Sequence, residues 1–135
     1  MLRISCTFDE EFGPGGMDPL GKLVISDGDS EISIDTTYLD SWLAALIDGL
    51  QQLSATGHVR VDTEEPKPIE IDVVPEGHLL ISYKGKQVVA EGLKELELAL
   101  RAAVSDFLAG IEDCPEASQN RLIDPIRRFW VTTQN

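Results

Sequence analysis

Apolar residues along this chain change their spacing three times, and the order of those changes restricts the fold more than any composition does. Leu2, Ile4, Cys6 and Phe8 alternate with polar residues, which is the period of a half-buried strand. Leu23-Val24-Ile25 and Ile32-Ser33-Ile34 flank Asp27-Gly28. Asp-Gly between apolar runs signals a hairpin, because Gly takes the positive φ of the turn. The spacing then lengthens. Leu39, Trp42, Leu43, Leu46, Ile47, Leu50 and Leu53 recur at helical intervals up to Gly57, a C-terminal stop. Thr37 and Asp40 form an approximate capping box at the start of that helix.

Alternation returns over residues 58–90. Val59 and Val61, then Ile69, Ile71 and Val73, then Leu79, Ile81 and Tyr83 are each interleaved with other residues, and Leu80 weakens the last pattern. Breaks with turn chemistry fall at Glu64-Glu65-Pro66, Pro75-Glu76-Gly77 and Lys84-Gly85. A second helix is predicted over about 92–110, its stripe formed by Leu93, Leu96, Leu100, Val104, Phe107, Leu108 and Ile111, and Gly110 and Pro115 end it. Asp124-Pro125 reads as an N-cap followed by Pro at the first helical position, opening a short helix through Phe129 and Trp130.

Three strands, a helix, three or four strands and two helices carry no βαβ rhythm, which argues against a doubly wound parallel sheet. The expected fold is α+β in a single domain over residues 1–135, a mostly antiparallel sheet with helices packed on one face. Trp42, Leu46, Leu50, Leu100, Val104 and Phe107 should be buried between helices and sheet. A chain of 135 residues buries roughly two-thirds of its unfolded surface, enough for a core without metal or disulfide staples. Cys6 and Cys114, the only cysteines, therefore read as reduced thiols of a cytosolic protein. Phe8 is followed at once by Asp-Glu-Glu, unlike a secretory leader, and no apolar run approaches the roughly 20 residues of a membrane span. The expected location is the cytoplasm, with no membrane association.

Chemistry-bearing motifs are scarce. His58 and His78 begin strands and read as surface residues; no H-E-x-x-H, C-x-x-C or G-x-S-x-G occurs. The glycines at 13, 15 and 16 lack a following Lys-Ser/Thr and are flanked by acids, which repel phosphate. Residues 27–31 resemble part of a calcium loop, but Tyr38 stands where the bidentate Glu belongs, and a hairpin explains them better. Glu70 and Asp72, two apart on a strand, read as acids on a solvated face rather than a nuclease pair. No enzyme activity, metal or cofactor is expected.

Charge is the remaining signal: 24 acids against 11 bases, a net −13. Such a surface repels nucleic acid and attracts cations. By strand parity Glu31, Asp35, Glu70 and Asp72 face solvent, beside the loop of Asp9, Glu10, Glu11 and Phe12, with few bases beyond Arg3 and Arg60. These eight residues are the expected contact surface for a basic protein partner, with Phe12 as apolar anchor. The segment around Arg127 and Trp130 is the next candidate. Small size, acidity, missing catalytic residues and two helices rich in Trp or Leu bracketing short strands make the chain resemble the immunity proteins of bacterial polymorphic toxin systems. That resemblance implies a non-catalytic inhibitor of a cognate toxin, often a basic nuclease. Alternatives are an acidic secretion chaperone for an effector, though those usually open with a helix, and a small enzyme or ligand-binding domain built from scattered residues.

Overall fold

The computed structural model describes residues 1–8, 20–63, 65–111 and 123–133. Among these the strands are β1 (Arg3–Phe8), β2 (Leu20–Ser26), β3 (Glu31–Tyr38), β4 (His58–Val61), β5 (Ile69–Val73), β6 (Leu79–Tyr83) and β7 (Lys86–Ala90). The helices are α1 (Leu39–Thr56), α2 (Leu93–Ile111) and α3 (Ile123–Thr133). The fold is α+β, and every strand pairing is antiparallel. The strands are divided between two sheets, β1-β2-β3 and β4-β5-β6-β7, where alternation alone suggested one.

Alternate side chains of each strand point inward, for example Leu23 and Ile25 on β2 and Ile69 and Ile71 on β5. They join the inner stripes of all three helices in one apolar cluster. Trp42, Leu46, Leu100, Val104 and Phe107 are buried there as expected, whereas Leu50 is only half-buried. Gly57 ends α1 in the left-handed conformation, its N–H donating to the Leu53 carbonyl at 2.9 Å. The start of α1 differs from the expected capping box. Tyr38 is the N-cap and no side chain caps it. Thr37 is instead buried in a polar relay: Trp42 Nε1 donates to its Oγ1 at 2.8 Å, and that hydroxyl donates to Glu65 Oε1 at 2.6 Å. A buried indole N–H needs such an acceptor, and meeting that need outweighs a cap.

The two sheets meet where β3 lies against β7. The β2–β3 turn makes a polar clip across this seam. Asp27 Oδ1 accepts from the N–H groups of Asp29 (2.8 Å) and Ser30 (2.7 Å), while Oδ2 accepts from Val89 N–H of β7 at 2.9 Å. The Val89 bond, then those of Ser30 and Asp29, hold the Asp27 carboxyl below its ordinary 3.8. One aspartate thus closes a hairpin and occupies an outward donor of the other sheet's edge strand.

Candidate functional site

The four strand acids expected on the surface are solvent-facing, but they stand on two different sheets. Their cross-strand neighbours alter the expected picture. On the first sheet, Arg3 pairs with Ser26 and Ser26 with Glu31, so a base and an acid share one row. Lys22 Nζ lies 3.9 Å from Asp35 Oδ1. On the second, Arg60 stands directly opposite Glu70, and His58 opposite Asp72 with Nδ1 and Oδ1 2.5 Å apart. Arg60 Nε also donates to Asp62 Oδ1 at 3.1 Å. Arg3 and Arg60 thus stand in the acids' own rows, and Lys22 and His58 join them. Alternation fixes which face a residue takes, while register decides what stands opposite, and register is set by turn geometry. Such exposed pairs each contribute only about 0–1 kcal/mol, but they cancel much of the local field.

Asp9, Glu10, Glu11 and Phe12 lie outside the described residues, as does Cys114. The point from which residues 9–19 depart is nevertheless well defined. β1 ends at Phe8, whose ring stacks on Phe107 of α2 with centroids 5.7 Å apart and planes 25° apart. The same ring fills the space beside Gly110, where a Cβ would meet Phe8 Cε2 at 2.1 Å. Gly110 is thus a packing residue inside α2, and the helix runs on to Ile111. Phe8, the last residue of β1, therefore lies against the last turn of α2. Residues 9–19 carry four acids and no base, residues 112–122 three acids and one base. Close by, burial pushes the Cys6 thiol up to about 12, with the Asp106 charge adding to it. That strand residue is an inert, protonated thiol at neutral pH.

Two further features were not read from the sequence. A groove of about 670 Å³ runs between α1, the start of α2 and α3, with Leu50, Leu93 and Phe129 among its lining. On the other flank of α3, the Arg101 guanidinium sits 5.1 Å over the Trp130 ring, which gives the C-terminal aromatic a packing role. Leu50 sits at a core-like position of α1 but opens into the groove, a fact that depends on where α3 docks and not on local periodicity.

The row of His58 and Asp72 continues through Leu80 and Val89, neither of which supplies a nucleophile. Among the described residues no three His, Cys, Asp or Glu side chains could hold a metal ion, and no helix is long and apolar enough to cross a membrane. Compared with known proteins, the chain matches no family model, no curated protein and no solved structure.

Proposed function

We propose that this protein is a non-catalytic binding module that engages a basic protein partner through its acid-rich corner, in the manner of an immunity protein neutralising a toxin. The observation that supports this reading is the uneven distribution of charge. Of the acids on the strand faces, Glu31 shares a row with Arg3, Glu70 with Arg60 and Asp72 with His58, and Asp35 lies 3.9 Å from Lys22. Residues 9–19 and 112–122 carry seven acids and one base between them, and in sequence they follow β1 and α2, whose ends touch through Phe8 and Gly110. A concentrated field of one sign steers an oppositely charged partner and selects against wrong ones. Asp9, Glu10 and Glu11 form the principal contact with Phe12 as its apolar anchor, while Glu31, Asp35, Glu70 and Asp72 contribute less because each stands near a basic side chain.

Co-production with the product of the neighbouring gene tests the reading. A basic partner should co-purify, and its toxicity to the host should disappear in the presence of this chain. Replacing Asp9, Glu10 and Glu11 together by Lys should abolish the rescue while leaving the fold intact. Rescue that survives this triple reversal would remove the corner from the interface.

A further inference from the structure

We infer that the groove between α1, α2 and α3 is the seat of an amphipathic helix supplied by the basic partner, an inference that rests on the function proposed above and assigns it a second contact. Ala44, Ile47, Asp48, Gln51 and Ser54 line the groove from α1. They recur at intervals of three and four and so share one helical face. At 1.5 Å per residue they extend over about 15 Å, roughly three helical turns. Pro125, Arg128, Phe129 and Thr132 form the opposite wall on α3. The space is therefore elongated and flanked by two helices.

Those walls decide the conformation of the occupant. The backbone groups along α1 and α3 are engaged within their own helices, so the groove offers no row of N–H and C=O groups to an extended peptide. A segment entering it must satisfy its own backbone, which a helix does. The chemistry of the walls decides its sequence. Leu50 and Leu93 remain half-buried although both pack against the core, leaving apolar surface for an i, i+3, i+4, i+7 stripe. Asp48 and Glu97 stand on α1 and α2, against the single cation Arg128 on α3. Asp48, exposed on α1, accepts from the Gln52 amide at 2.7 Å and can also take a lysine or arginine from the edge of the incoming helix, while Glu97 lies 3.8 Å from Lys94.

The test uses two fluorescent 14-residue peptides of identical leucine and lysine content. In one the leucines form a single helical face; in the other they are scrambled. The patterned peptide should bind the full chain at least tenfold more tightly. Thr132→Trp, which fills the groove from an exposed position, and Asp48→Lys should each erase that preference. Glu76→Lys, the same charge change in the exposed turn before β6, should alter the preference less than twofold. Equal binding of the two peptides, or a preference that survives both groove variants, would overturn the inference. Equal binding that still weakens when Asp9, Glu10 and Glu11 become Lys would leave the acidic-corner reading standing, so the two failures are distinguishable.

Discussion

Gly110→Ala separates helix propensity from packing, because the two make opposite predictions. Gly110 lies inside α2, where exchanging Gly for Ala ordinarily stabilises a helix by up to about 1 kcal/mol. Here the new Cβ would sit 2.1 Å from Phe8 Cε2 and 2.8 Å from Cζ, far inside contact distance. To relieve the overlap Phe8 must leave Phe107, forfeiting an aromatic pair of about 0.5–1.5 kcal/mol, or the helix end must shift at an overpacking cost of about 1–3 kcal/mol. Set against the helical gain, these costs leave a balance between about zero and a net destabilisation of about 2 kcal/mol. In a Phe8→Ala background the obstacle is gone, and the same substitution should stabilise by up to about 1 kcal/mol. Urea unfolding of the four proteins, with equal slopes across the set, measures both legs and the coupling between them. If Gly110→Ala stabilises the parent as much as it stabilises Phe8→Ala, then β1 does not end against the last turn of α2.

The remaining predictions concern single groups. Thr37→Val removes the acceptor of the buried Trp42 N–H and should cost about 1–3 kcal/mol in urea unfolding, with a shifted tryptophan emission; an unchanged midpoint would refute the relay. Cys6, with its thiol pushed up to about 12, should react slowly with a thiol reagent at pH 8 and rapidly after denaturation, with peptide mapping to locate the label. Because its folded value exceeds the unfolded one, its contribution to stability is complete below about pH 9 and declines as pH rises towards 12. Fast labelling of the folded chain at Cys6 would contradict its place on the inner face. For Asp27 the sign is opposite. Its lowered carboxyl favours the fold above the ordinary 3.8, and that contribution is lost as pH falls through the folded value. Asp27→Asn should flatten the acid limb of the stability curve and speed hydrogen exchange of the Val89 amide, whose protection should otherwise persist.

The elements themselves were legible because each rests on local periodicity. Trp42, Leu46 and Leu53 mark a helical face whatever surrounds them, and Asp27-Gly28 announces a turn from its own backbone preferences. Asp124-Pro125 also announced a helix, but α3 begins at Ile123, so Asp124 and Pro125 are its second and third residues and not the cap and first position expected. What sequence reasoning missed depends on residues distant in the chain. Gly110 looks like a helix stop, yet its missing Cβ accommodates a ring from residue 8. Asp27 looks sufficient as a turn residue, yet its second oxygen holds another sheet. The strand acids were placed on the correct faces, but their pairing with Arg60 and His58 follows from register, which alternation does not specify. Leu50 was assigned to the core because its helical position is apolar, and the docking of α3 leaves it lining a groove.

The proposal that the acids of residues 9–11 steer a basic partner is tested most directly by stopped-flow association with that partner as a function of salt. Steering acts beyond contact and is screened over about 8 Å at physiological ionic strength. The association rate should therefore fall steeply as salt rises. The combined replacement of Asp9, Glu10 and Glu11 by Lys should remove most of that salt dependence, and Glu70→Lys with Asp72→Lys should remove a smaller part. An association rate indifferent to both salt and the triple replacement would contradict the account and leave the acids with a role in solubility alone.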